Sequence, residues 1–127
     1  MTDLVRYSML IDGDWCQASD NGSFESINPA TGKAWATVPE ATADDIDRAV
    51  RAAHVAGTTG PWAGMLPTER GKCLMRLADL LAEASENLGR IETIDTGKMF
   101  KETRWQARYI AEFLRFYGGA ADKVSGD

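Results

Sequence analysis

The sequence predicts an α+β chain in which short N-terminal strands and a hairpin precede three to four α-helices. Three observations carry that reading. Asp12-Gly13 stands between Met9-Leu10-Ile11 and Trp15-Cys16, and Asp-Gly between apolar runs is a strong hairpin signal. At Thr42 the pattern changes to helical spacing, with Ile46, Ala49, Val50 and Ala53 on one face. Beyond Pro67, Leu, Ile and Ala recur at the same period through two long stretches. The boundary falls near residue 40, with strands and turns in 1–40 and helix in 41–127.

Each element has its own local signal. Asp20-Asn21-Gly22 makes a second turn before Phe24–Ile27, which alternates around Glu25 and Ser26. Pro29 keeps Asn28 out of the helical region and Gly32 gives access to positive φ, so 28–32 is a turn. Trp35–Val38 is a fourth strand, closed by Pro39. Thr42 is an N-cap, with Asp44 and Asp45 in the first turn where dipole and solvation favour acids. Gly57 ends that helix, and Thr58–Leu66 is a loop anchored by Trp62. Pro67 suits a first helical position. The stripe Leu74, Leu77, Ala78, Leu81 and Ala82, widened by Cys73, Leu80 and Ala84, suggests a helix covered on more than one side. Ser85 caps a further helical piece that stops at Gly97. The last helix spans Phe100–Tyr117, with Ala107, Ile110, Ala111 and Leu114 as its face and Trp105, Phe113 and Phe116 on the flank. Gly118-Gly119 loosens or ends it.

Composition narrows the function. With 127 residues, 44% apolar and 26% charged, the chain has material for one hydrophobic core. Residues 1–66 hold four basic and nine acidic side chains, while 67–127 hold ten of each. An acidic front half without a basic run argues against nucleic acid or an anionic membrane surface as partner. No apolar run reaches the roughly 20 residues of a bilayer span, and Met1–Asp20 lacks a secretory progression. The expectation is a soluble, cytoplasmic unit.

The inventory for catalysis is thin. Cys16 and Cys73 are the only cysteines and His54 is the only histidine. They build neither a zinc site nor a disulfide framework. Cys73, among leucines, reads as a buried small hydrophobe; Cys16 reads as half exposed and without a dyad partner, and His54 as solvated or lightly packed. No Gly-rich phosphate loop, G-x-S-x-G elbow or H-E-x-x-H occurs. Asp95, in Ile94-Asp95-Thr96-Gly97-Lys98, stands out as an acid at a helix C-terminus, where a cation is favoured. Backbone amides of the following turn would satisfy it, and so would a hard monovalent cation.

The order of short motifs resembles the opening of the aldehyde dehydrogenase superfamily. The resemblance rests on Leu10-Ile11-Asp12-Gly13-Asp14-Trp15, Ile27-Asn28-Pro29-Ala30-Thr31-Gly32-Lys33 and Thr68-Glu69-Arg70-Gly71. Arg76-Leu77-Ala78-Asp79-Leu80-Leu81, Asp95-Thr96-Gly97-Lys98 and Phe116-Tyr117-Gly118-Gly119-Ala120-Ala121-Asp122-Lys123 extend it, so that it runs from Met9 to Gly126. Leu66 replaces a small capping residue, and Gly119 stands where a larger residue is frequent.

The resemblance implies a truncated NAD(P)-dependent enzyme, with 1–127 as the N-terminal part of a Rossmann-like α/β cofactor domain. The complete enzyme would oxidise an aromatic aldehyde, a semialdehyde or a betaine-type aldehyde to the acid through a cysteine thiohemiacetal. NAD or NADP would serve as cofactor. The nucleotide-contacting strand, the general base and the nucleophilic cysteine would all lie past residue 127, so no catalytic or cofactor-binding residue is assigned. This chain alone is expected to be inactive and to bind no cofactor. The resemblance also implies a potassium or sodium ion, with Ser26, Ile27 and Asp95 among its ligands and others beyond this chain. The competing expectation is a non-catalytic module that self-associates or pairs with a full-length homologue.

Overall fold

A computed structural model describes residues 4–123; residues 1–3 and 124–127, including the tail that the helical reading takes in, lie outside the described residues. The strands are β1 (Val5–Arg6), β2 (Met9–Ile11), β3 (Asp14–Cys16), β4 (Ser23–Asn28) and β5 (Lys33–Pro39). The helices are α1 (Ala43–Thr58), α2 (Pro61–Gly64), α3 (Pro67–Thr96) and α4 (Phe100–Ala120). Strands followed by helices make the predicted α+β order. The chain divides into two compact units, Met1–Ala63 and Gly64–Asp127.

In the first unit, β2 and β3 form the expected hairpin, with Leu10 opposite Trp15. Its two turn residues, Asp12 and Gly13, have φ of 54° and 86°, the positive values that a type I′ turn requires. A separate sheet has the order β1-β5-β4, with β1 parallel and β4 antiparallel to β5. The sequence reading lacks β1, because two residues are too short to show alternation. The β4–β5 register shifts between Ser26 and Ile27: Ser26 faces Ala36 and Ile27 faces Ala34, so Trp35 is the extra residue of a bulge.

Helix α1 begins where its cap chemistry places it. The Thr42 hydroxyl accepts from the Asp45 N–H, and the Asp45 carboxylate accepts from the Thr42 N–H at 3.0 Å, a reciprocal capping box. The helix runs one residue past Gly57, with Thr59 as its C-cap. The stretch expected as a loop contains the one-turn helix α2. Ile46 and Val50, part of the expected apolar face of α1, remain exposed.

The second unit is a helical hairpin. The helix expected to break at Ser85 is continuous over 30 residues, because Ser85 is buried inside it and its hydroxyl accepts from Arg108 Nε at 3.2 Å. Gly97, at φ 76°, stops α3 as expected. The helices meet along their smallest residues: Gly71, Ala78, Ser85 and Gly89 of α3, and Thr103, Ala107 and Ala111 of α4. A Cβ at Gly71 would stand 2.5 Å from the Gly118 carbonyl oxygen, so the two backbones are nearly in contact. That contact is why α4 continues through Gly118-Gly119 instead of ending there.

Large side chains do not fill the interior. Among the described residues, the buried apolar side chains are Ala18, Ala36, Ala78, Ala107, Ala111 and Pro39. Cys73, expected to be buried, is exposed. The seam follows the glycines and alanines, which lets the backbones approach; of the leucine-rich stripe, Ala78 lies in the seam while Cys73, Leu77 and Leu80 are exposed.

Candidate functional site

The residues singled out by sequence occupy both units. Ser26 and Ile27 are neighbours in β4 at the bulge, where Ser26 is half-buried and its hydroxyl accepts from the Trp35 indole N–H at 3.2 Å. The bulged residue of β5, Trp35, is thus the one whose indole reaches the serine. Asp95 lies exposed in the last turn of α3, in the other unit. Hydroxyl, backbone carbonyl and carboxylate are hard oxygen donors, the kind that suits an alkali cation. Among the described residues, no group of three or more His, Cys, Asp and Glu could hold a metal ion.

No dinucleotide cradle is visible in the described residues. Positive-φ glycines occur at Gly13, Gly32 and Gly97, in the hairpin turn, in the turn before β5 and at the end of α3. None opens a helix, as a phosphate-binding loop requires. The N-terminus of α1 already holds the Asp45 carboxylate.

Cys16 is half-buried and lines a cavity of about 610 Å³ with Asp12, Asp14, Arg48 and Arg51. Arg48 pairs with Asp45 at 2.7 Å and also interacts with the Cys16 side chain, while Arg51 pairs with Asp47 at 2.8 Å. His54 is exposed, as expected.

The most elaborate polar centre in the first unit is Asp45, which sequence reasoning treated as a solvated helix-start acid. Its side chain is fully buried. It accepts from the Ser19 N–H at 3.0 Å, the Thr42 N–H, the Thr42 hydroxyl and Arg48. The Ser19 N–H, then the Thr42 N–H and the Arg48 guanidinium, hold its carboxyl far below the usual range against the opposing effect of burial. This carboxylate ties the segment after the hairpin to the start of α1. A signal was present: Thr42-x-x-Asp45 has capping-box spacing. The second unit has a counterpart in Thr103, fully buried, whose hydroxyl donates to the Gly89 carbonyl at 2.9 Å and lies 2.9 Å from the Thr93 hydroxyl.

These centres hold backbone together; among the described residues none pairs a nucleophile with a base. The class defined by the fold is α+β, short strands followed by helices. The sequence profile of the aldehyde dehydrogenase family matches residues 15–127. A (Z)-2-((N-methylformamido)methylene)-5-hydroxybutyrolactone dehydrogenase from Acinetobacter baylyi is 48% identical over 97% of this chain, which spans 25% of that relative. The mitochondrial aldehyde dehydrogenase family 2 member B4 of Arabidopsis thaliana is 39% identical over 93% of the chain, which spans 22% of it.

Solved structures agree. An NAD-dependent aldehyde dehydrogenase from Sinorhizobium meliloti superposes with a TM-score of 0.93 at 32% identity, over 98% of this chain and 25% of that one. A betaine aldehyde dehydrogenase from Staphylococcus aureus, in complex with NAD+, gives 0.89 at 34% identity, over 98% of this chain and 25% of that one. The chain belongs to the aldehyde dehydrogenase family, and it spans about a quarter of the length of the relatives it matches. Among the described residues, no helix is long and apolar enough to cross a membrane.

Proposed function

We propose that the complete protein is a cytoplasmic NAD(P)-dependent aldehyde dehydrogenase, to whose cofactor domain this chain contributes a scaffold and no reacting group. Similarity along nearly the whole chain to relatives four times its length carries the reading. In the complete enzyme a cysteine thiolate from outside this chain adds to the aldehyde, forming a thiohemiacetal. NAD or NADP accepts the hydride when bound, and water then releases the carboxylic acid and the thiol.

This chain's part is to hold shape. Asp45 fixes the strand unit to α1, and the Gly71–Gly118 approach fixes α3 to α4. Neither Cys16 nor Cys73 is assigned as nucleophile, and the chain alone is inactive and binds no nucleotide. Ser26, Ile27 and Asp95 contribute oxygen ligands to a potassium or sodium ion that other parts of the protein complete. The substrate is a small aldehyde, whether aromatic, a semialdehyde or betaine-type. A non-catalytic role in pairing with a full-length homologue is favoured by one observation, the exposed aromatic residues of α4.

The test is a fusion. The 127 residues replace the equivalent quarter of the Acinetobacter baylyi relative, and aldehyde-dependent formation of NADH or NADPH is followed. A turning-over fusion supports the reading; a folded but inactive one contradicts it.

A further inference from the structure

The turn Asp20-Asn21-Gly22 joins the hairpin to β4 and holds chemistry that the scaffold does not use. Asn21 is exposed, with its backbone at φ 62°, a left-handed conformation that asparagine adopts more readily than most residues. Gly22 follows it. Because glycine has no Cβ, its backbone nitrogen meets little steric resistance on approaching the side-chain carbonyl carbon of Asn21. The other two asparagines of the chain lack that route. Asn28 precedes Pro29, whose nitrogen carries no hydrogen to lose. Asn87 lies inside the long helix α3, where the next backbone nitrogen is held in the helical ladder.

The surroundings both restrain the reaction and give it a consequence. The Gly22 N–H, the attacking group, donates to Asp20 Oδ1 at 2.8 Å. Attack breaks that charge-assisted hydrogen bond and builds negative charge on nitrogen beside a carboxylate, so Asp20 opposes it. The turn is tied at both ends. The Asn21 N–H donates to the Ala18 carbonyl at 2.8 Å, and the Gly22 carbonyl accepts from the Glu40 N–H at 2.9 Å. Ala18 is buried, and its neighbour Ser19 donates its N–H to the Asp45 carboxylate. A change of main-chain length at position 21 therefore strains the segment that Asp45 holds.

We propose that Asn21-Gly22 is a spontaneous deamidation site, restrained by the Asp20 carboxylate, whose isoaspartyl product loosens the ties of this turn to Ala18 and Glu40. The Gly22 nitrogen gives its proton to a solvent base and bonds to Asn21 Cγ. The Cγ–Nδ2 bond breaks and ammonia leaves, closing a five-membered imide. Water then opens the ring. Opening at Cγ leaves an aspartyl residue; opening at the backbone carbonyl carbon leaves an isoaspartyl residue, whose main chain runs through Cβ and is one atom longer. An amide and water become a carboxylate and ammonium, and nothing is oxidised or reduced.

The test incubates the purified 127-residue chain for weeks at neutral pH and physiological temperature, folded and in urea. Intact mass follows replacement of NH2 by OH, peptide mapping assigns the position, and enzymatic methylation of isoaspartate counts the longer product. The expected result is a mass gain confined to Asn21 and faster in urea than in the folded chain. Folded Asp20→Ala should deamidate roughly tenfold faster than the native chain, the lower end of what a charge-assisted hydrogen bond is worth, and no faster in urea. Circular dichroism checks that this variant is folded; if it is not, Asp20→Ser, which keeps an acceptor without the charge, replaces it. Asn21→Gly keeps the left-handed φ and should gain no mass. The isoaspartyl product should unfold at a lower temperature than Asn21→Asp, which has the charge without the added length. A chain unreactive at Asn21, isoaspartate found only at Asp12-Gly13, a folded Asp20 variant no faster than the native chain, or equal unfolding temperatures overturns the proposal.

Discussion

Gly89 lies directly against the backbone of Arg104: a Cβ built on the glycine would stand 2.8 Å from both the Arg104 Cα and its amide nitrogen. Those neighbours are backbone atoms and cannot swing aside. Gly89→Ala should therefore destabilise the helical hairpin, because an overpacking cost toward the upper end of about 1–3 kcal/mol exceeds the ~1 kcal/mol gain in helix propensity. Urea denaturation followed by helical circular dichroism measures it; a stabilised variant would show that the helices do not approach this closely.

Thr103 tests the same seam by chemistry. Its hydroxyl donates to the Gly89 carbonyl from a fully buried position. Thr103→Val keeps the shape and removes the donor, so a loss of about 1 kcal/mol is expected. Thr103→Ser should retain most of that hydrogen bond but lose a buried methyl. Equal stability of the valine variant and the native chain would contradict the assignment.

The first unit should be acid-sensitive through Asp45. Its carboxyl titrates below its ordinary value of 3.8 in the folded chain, so the folded state binds this proton more weakly than the unfolded state. The stabilisation is complete above that ordinary value and is lost as pH falls below it toward the depressed folded value. Asp45→Asn should lower the midpoint of thermal unfolding at pH 7 and flatten the pH dependence below about 4. Thr42→Ala, which removes the N-cap hydroxyl, should cost about 1 kcal/mol. Thermal melts from pH 2 to 7 decide both.

The exposed ladder Trp105-Tyr109-Phe113 predicts that the chain by itself binds an apolar dye. Trp105→Glu with Phe113→Glu should remove much of that signal. A dye-silent chain that melts cooperatively as a monomer would contradict the exposure of this face.

Elements with strong local chemistry were legible in the sequence: the Asp12-Gly13 turn, the Thr42 cap and the Gly97 stop each follow from a residue type with one favoured backbone role. The misreadings share a physical origin. Amphipathic analysis weights large apolar residues, and it places Cys73, Leu77 and Leu80 inside. Here the closest packing follows Gly71, Ala78 and Gly89, whose value is their lack of bulk. Ser85 read as a cap because serine competes for backbone groups, yet Arg108 satisfies it from α4. β1 joins the sheet through a parallel pairing with β5, a long-range partner that no local pattern announces. Of the candidate ion ligands, Ser26 and Ile27 entered through family resemblance, whereas Asp95 was legible as an acid at a helix C-terminus.

The central claim, a scaffold without reacting groups, is tested most directly by an NAD(P)-linked aldehyde oxidation assay on the purified 127-residue chain with its intact mass verified. The account predicts no turnover with any aldehyde. Turnover at that mass would contradict it and direct the search for a nucleophile to Cys16.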